Sequence, residues 1–391
     1  MTCAEIVSIG RAGRSHERLF TGSGGPKSVW LQITSRCNQT CSYCYMNATR
    51  GSHDRLSMDQ IIHIFEMAKR AGTRVMLVSG GEPTIVKELP EILKASVEDY
   101  GFETYLVTNG TGCTPQLVKL LASLDVTVQV SMDTVDEVAY AKVRGLPLLP
   151  RIMGNIDNMV ESGVKVALSV PITNVVDNKV VDVLEWGIAH GVQTTHVSTS
   201  YGQRTGVTQD LTRAGVEDVL SQLYRFEKTR FEEMSIDLIE SMVISLSGLG
   251  NPCSTYCTPM SGRTWEIDAK GEAYYCGAIT SIPEFRLGNV FTEDFEATYL
   301  RRQRESRHLS FTPDKLTVCS TCEYRGICKG GCRSQALFYT GDLYGPVGHC
   351  EDLKRVYREM TADFEAGELD PLIEFLKVCY GENLQSHTKC F

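Results

Sequence analysis

Seven thiols crowd into two short stretches of this chain, and that crowding constrains the fold more than any other feature. Cys37, Cys41 and Cys44 form one group; Cys319, Cys322, Cys328 and Cys332 form the other, out of 15 cysteines in 391 residues. A secreted disulfide protein carries a signal sequence, whereas Met1–Arg18 holds His, Glu and several Arg around no apolar centre. Clustered thiols in a reducing compartment point to metal, so the expected location is cytoplasmic. The remaining composition is that of a globular protein. With 42% hydrophobic and 22% charged residues, a mainly disordered or collagen-like chain is excluded. Apolar runs such as Val75–Val78 fall far short of a membrane span, so no membrane partner is expected. A net charge of −9 argues against a dedicated nucleic-acid binder.

From Val29 to about Ser200, short β-rich runs alternate with longer amphipathic stretches. Val29–Thr34, Arg74–Ser79, Thr104–Thr108, Thr127–Ser131, Lys165–Pro171 and Thr194–Thr199 are rich in Val, Ile, Leu and Thr, which predicts six strands. Ser57 is a good N-cap for a helix over Met58–Ala71, which Gly72 ends. Thr114-Pro115 opens another helix to about Ser123, and a third covers Asp177–Ala189. Strand–helix repeats imply a parallel sheet with right-handed crossovers. Six of them, with no G-x-G-x-x-G after the first strand, predict an α/β fold: a partial (β/α)6 barrel. Ligands in such folds sit at the carboxyl ends of the strands. Cys37, Gly80-Gly81-Glu82-Pro83, Thr108-Asn109-Gly110 and Ser131-Met132-Asp133 fall at four successive ends.

The expected boundaries are a lead-in over 1–28, the barrel over 29–208, a helical linker over 209–250, a cysteine-rich domain over 251–350 and helices over 351–391. The cysteine-rich part contains candidate strands Thr264–Asp268 and Glu272–Cys276, and the closing helices are Glu351–Glu365 and Asp370–Cys379. Gly22–Ser28 is similar to a phosphate loop, but it lacks the Gly before Lys27 and precedes a strand, not a helix.

Cys37, Cys41 and Cys44 are spaced C-x3-C-x2-C. Three thiolates on a short loop can hold three irons of a cubane and leave the fourth open to a ligand. A structural zinc site wants a fourth protein ligand, and no nearby His or Cys supplies one. The loop, the barrel repeats and the Gly80-Gly81-Glu82-Pro83 element together resemble the radical S-adenosylmethionine (radical SAM) superfamily. The resemblance implies that SAM chelates the open iron. It places the SAM ammonium against Gly80 and Gly81, with Glu82 and Pro83 fixing the turn, and Tyr43 near adenine. Ser131 is placed at the ribose or carboxylate, Arg144 on the SAM carboxylate, and the segment around Val197 beside adenine. Reductive cleavage of SAM then gives a 5′-deoxyadenosyl radical that abstracts a substrate hydrogen.

Downstream, Cys253, Cys257, Cys276, Cys319, Cys322, Cys328, Cys332 and Cys350 are similar in order to the SPASM extension of many such enzymes. Eight thiols are enough to close two cubanes. By resemblance, Cys253, Cys257, Cys276 and Cys332 bind the inner auxiliary cluster, and Cys319, Cys322, Cys328 and Cys350 the outer one. That makes three [4Fe-4S] clusters with SAM. Fully ligated clusters suit electron transfer, which favours oxidation or cross-linking over rearrangement. Cys113 is either a hydrogen-atom donor facing the cavity or a small buried apolar residue. Sulfatase-maturing relatives carry an Asp after the Cys matching Cys276, where this chain has Gly277. The other candidate bases are His196, Asp133, Glu272, Tyr201, Tyr274 and Tyr275.

The resemblance makes the chain an oxidoreductase, with oxidation or cross-linking of a ribosomally made peptide as the leading expectation. Dehydrogenation or epimerisation of a small molecule, such as a sugar or antibiotic precursor, is the alternative. The implied partners are the precursor peptide or small molecule and an electron donor such as flavodoxin or ferredoxin. Only 28 residues precede the first strand, so either a separate peptide-recognition protein or direct binding of the peptide by the enzyme is expected.

Overall fold

The computed structural model describes residues 25–44, 46, 48–172, 179–198, 216–249, 264–280, 283–295, 297–299 and 311–380. Strands β1 (Ser28–Gln32), β2 (Val75–Ser79), β3 (Glu103–Thr108), β4 (Thr127–Ser131), β5 (Val166–Pro171) and β6 (Thr194–Ser198) lie within two residues of the expected runs and pair in parallel. The helices after them are α1 (Met58–Arg70), α2 (Leu89–Lys94), α3 (Pro115–Ser123), α4 (Glu137–Arg144), α5 (Leu149–Glu161) and α6 (Val180–Ala189). The fold class is the expected α/β one. Ser57 caps α1 in a full capping box with Gln60, and Thr114 caps α3 with Pro115 behind it. Start signals of this kind are local, which is why the sequence shows them.

The stretch read as a helical linker does more than link. It holds α7 (Val216–Arg230), the two-residue strand β7 (Ser235–Ile236) and α8 (Asp237–Leu246), and β7 pairs in parallel with β6. A two-residue strand has no period to detect. After it come β8 (Thr264–Ile267), β9 (Glu272–Tyr274) and β10 (Arg286–Asn289). Strand β8 lies parallel to β1, so the sheet runs β10-β9-β8-β1-β2-β3-β4-β5-β6-β7. Contacts between strands so distant in sequence leave no local trace. The C-terminal part adds short helices α9 (Arg325–Cys328) and α10 (Arg333–Thr340), then α11 (Cys350–Glu365) and α12 (Asp370–Tyr380). No described helix is long and apolar enough to cross a membrane.

The strand registers sort side chains onto two faces, because neighbours in register point the same way. Val29, Leu31, Met76, Val78, Leu106, Val128, Val130, Leu168, Val170 and Val197 share one face, and all belong to the main apolar core. The other face carries Gln32, Ser79, Gln129, Ser131, Ser169, His196 and Ser198 toward the strand ends, above a small floor of Trp30, Val75, Leu77 and Tyr105. A polar inner face on a parallel sheet is not needed for packing.

Candidate active site

The thiol loop leaves β1 and is fastened at both ends. Ile33 N–H donates to Ser79 O at 2.9 Å, and Cys37 N–H to Thr49 O at 3.1 Å. Further along, Thr40 N–H reaches Arg144 O at 3.2 Å and Ser42 N–H reaches Val143 O at 2.9 Å, at the end of α4. Asn38 donates to Thr111 Oγ1 at 2.9 Å and accepts from Asn109 Nδ2 at 2.8 Å, which joins the loop to the end of β3.

Cys37 is buried, and burial pushes its thiol up to about 12; Gln39 N–H opposes the shift, while Glu82, Cys41 and Cys44 reinforce it. Burial also raises Cys41, against the pull of the Arg144 guanidinium. Buried thiols this reluctant to ionise become thiolates only against a strong positive centre. The chemistry of the donor set therefore fits an iron–sulfur cluster.

Gly80 and Gly81 do more here than leave room for a ligand. Gly80 has φ 144°, and a Cβ on it would meet Thr34 O at 2.5 Å; a Cβ on Gly81 would meet Arg36 O at 2.2 Å. The two glycines let the end of β2 press against the backbone that leads into the thiol loop, with Gly81 N–H donating to Thr34 O at 2.7 Å. Glu82, fully buried, accepts from Thr84 N–H (3.0 Å), Thr84 Oγ1 (2.6 Å), Thr108 Oγ1 (2.6 Å) and Asn109 N–H (2.7 Å). Burial raises its pKa, and these four donors work against that rise.

The structure gives Arg144 and Asp133 to each other. Both are buried; Arg144 Nε pairs with Asp133 Oδ2, and Nη2 lies 3.1 Å from Oδ1. Tyr43 donates its hydroxyl to the same carboxylate at 2.5 Å, and the guanidinium sits 5.5 Å from the Tyr43 ring centre. Nη1 reaches Cys41 Sγ at 3.8 Å. Arg144 is thus bound to a protein carboxylate, and Asp133 carries both that guanidinium and the Tyr43 hydroxyl. Tyr43 is half-buried within this cluster.

The other candidates separate by face. Ser131 sits at the inner-face end of β4, in register with Ser169, which is in register with His196. His196 Nδ1 lies 2.5 Å from Asp237 Oδ2, and Val197 N–H donates to Asp237 Oδ1 at 3.0 Å. The Val197 side chain lies in the helix-side core. Cys113 is also a core residue, pushed up to about 12 by burial. The Glu272 carboxylate is taken by Arg286 Nε at 2.6 Å and Asn289 Nδ2 at 2.9 Å. Tyr275 is buried in the core and Tyr274 ends β9; Tyr201 lies outside the described residues.

Four of the downstream thiols meet. Cys319, Cys322, Cys328 and Cys350 line one hollow, walled by Tyr324, Val347, Leu353 and Tyr357. Cys328 is pushed up to about 12, first by burial and then by the other three thiols, with the Gly330 N–H opposing. Four thiols around one apolar hollow fit a fully ligated cluster. Cys332 borders an adjacent cavity with Cys328 and His349, and Cys276 follows β9. Cys253 and Cys257 lie outside the described residues. The inner-face residues Gln32, Ser79, Gln129, Ser169 and Ser198 escape the motif-based reading; the alternation along each strand was their only signal.

Residues 31–187 match the family model of the radical SAM superfamily. Over a longer span the chain is 25% identical across 354 residues to mycofactocin maturase MftC of Mycolicibacterium smegmatis, covering 88% of each chain. Its fold matches anSMEcpe with bound AdoMet at a TM-score of 0.70, with 18% identity over 85% of this chain and 96% of that one. It also matches Streptococcus suis SuiB bound to precursor peptide SuiA at 0.64, with 19% identity over 80% and 73%.

Proposed function

We propose that this chain is a radical SAM oxidoreductase that oxidises or cross-links a peptide. The observation that carries the reading is the loop of Cys37, Cys41 and Cys44, which opens beside a polar sheet face. Those thiols would hold a [4Fe-4S] cluster, and bound SAM would supply the carbon radical that removes a substrate hydrogen. The protein's own part is placement: the Asp133–Arg144–Tyr43 group fixes the loop, and the inner face from Gln32 to Ser198 orients the substrate. Cys319, Cys322, Cys328 and Cys350 would hold an outer auxiliary cluster. Cys276 and Cys332, with Cys253 and Cys257, would hold an inner one. An external flavodoxin or ferredoxin would supply electrons. A peptide substrate is supported by the peptide bound to SuiB and by the maturase MftC.

The test is deuterium transfer. A perdeuterated lysate of the source organism is split into peptide and metabolite fractions. Each is given to reduced, anaerobically reconstituted enzyme with unlabelled SAM. Deuterium in 5′-deoxyadenosine from the peptide fraction alone is the expected result. Label from the metabolite fraction alone would establish a small-molecule substrate instead, and no deoxyadenosine from either would remove the radical reading.

A further inference from the structure

Gln129 stands at the centre of β4, halfway along the inner face of the sheet. Val128 and Val130 on either side of it belong to the helix-side core, so its own side chain turns inward. Only 9% of it is exposed. Its carboxamide can accept through Oε1 and donate through Nε2, yet it has no hydrogen-bond partner among the described residues. Its neighbours in register, Val107 on β3 and Ala167 on β5, have no polar side-chain atom to offer it. The ordinary case is shown by two other amides: Gln32 donates to Glu266 Oε1 at 2.6 Å, and Gln39 donates to the Tyr140 hydroxyl at 2.9 Å. Buried polar groups are almost always paired, and one left unpaired costs free energy that a leucine in its place would not. The inner-face hydroxyls of Ser79, Ser131 and Ser169 are likewise without a partner among the described residues.

We propose that Gln129 holds the main chain of the substrate peptide, pairing its carboxamide with the N–H and C=O of one extended residue. The inference rests on the peptide reading above and names the group that grips the peptide. An extended residue turns its N–H and C=O to the same side, which is how residue pairs in an antiparallel ladder exchange two bonds. A carboxamide presents an acceptor and a donor side by side, so it meets both. The unspent groups around it are hydroxyls and carry no charge, whereas a phosphate or carboxylate in this place would call for Arg or Lys. Ser131 lies two residues further toward the strand end, roughly 6–7 Å along β4. A peptide residue held at Gln129 thus lies one layer beneath Ser131, the residue that the resemblance sets beside SAM. The next residue of an extended peptide spans much of that distance. Main-chain bonds of this kind give affinity and depth, while the choice of side chain is set by other contacts.

The experiment uses the full holoenzyme and the perdeuterated peptide fraction, with labelled 5′-deoxyadenosine as the readout. In Q129L the amount of peptide fraction needed for half-maximal labelling is expected to rise about 10–100-fold, as for two lost hydrogen bonds. Q129M, closer to glutamine in shape, should lose as much. Q129E sets an acceptor against the peptide C=O and should need at least as much peptide as Q129L. No described residue bonds to the amide, so Q129L should keep the wild-type iron content and melt no lower than the wild type. Wild-type peptide dependence in both Q129L and Q129M would overturn the proposal and leave the amide to water. A lower melting temperature with lost iron in both would make Gln129 a packing residue and overturn it as well. So would a raised requirement for SAM with an unchanged one for peptide, which would move Gln129 to the cofactor. Label taken by the wild type from the metabolite fraction alone would instead overturn the peptide reading, and this role with it.

Discussion

The two thiol sites are built in opposite ways. The loop of Cys37, Cys41 and Cys44 hangs from regular structure: β1, the end of β2, the end of β3 and the end of α4 each hold it by hydrogen bonds. Cys319, Cys322, Cys328 and Cys350 stand on a short turn, a four-residue helix and the first residue of α11, around a hollow. Arg333, donating to the carbonyls of Gly330, Gly331, Leu343 and Gly345, stitches those turns together from inside. A site meant to leave one iron open needs a scaffold that stands without the metal. A site that spends all its thiols can let the metal be the scaffold.

Iron removal should break the molecule along that line. Anaerobic chelation is expected to lower amide protection over residues 311–350 by at least about 100-fold, while β1 to β6 keep theirs. Hydrogen exchange with mass spectrometry reads both regions at once, and equal loss in the two would erase the contrast. Arg144→Ala tests the first site alone. It strands the buried Asp133 charge, so metal-free protein should lose about 3–5 kcal/mol in a urea melt. Glu82→Ala leaves four donors without their acceptor and should cost about 3 kcal/mol in the same assay, again without touching the second site.

The smallest effect lies at the clasp between the regions, where α7 meets α11. Lys228 Nζ lies 2.7 Å from Asp363 Oδ2, and Tyr224 donates to the same oxygen at 2.5 Å. Burial pushes Asp363 up, but Lys228 and Tyr224 outweigh it and hold the carboxyl below its ordinary value. A carboxyl lowered on folding stabilises above its unfolded pKa of about 4 and loses that contribution as pH falls through the folded value. Thermal melts should therefore show about 1 kcal/mol less stability on acidification below pH ~4, and Asp363→Asn should show that part already missing at neutral pH.

What the sequence revealed follows the same physics. Strands β1 to β6, the Ser57 and Thr114 caps and the thiol spacings are local signals, and each is readable in a short window. The Arg144–Asp133 pair was out of reach although both residues were singled out separately, because side-chain pairing between a strand end and a helix end has no spacing rule. The seam between β8 and β1 was missed for a related reason. Strand β8 was expected, but its neighbour β1 lies more than two hundred residues upstream, and only that neighbour tells which face it presents.

That seam also has a history in time. Ser28 Oγ lies 3.0 Å from Thr264 Oγ1 across 236 positions of sequence. During synthesis β1 can pair with β2 early, but its other edge stays bare until the chain has grown past β8. A bare edge next to reactive thiols invites wrong pairing and aggregation. Closing it requires one of the longest loops in the protein, so it should be a late step in folding. The end of β1 that feeds the thiol loop is thus among the first parts made and among the last to be sealed. Iron delivered to Cys37, Cys41 and Cys44 before β8 arrives would meet a half-built wall. Expression yield should therefore depend on chaperone supply while the second half of the chain is being completed.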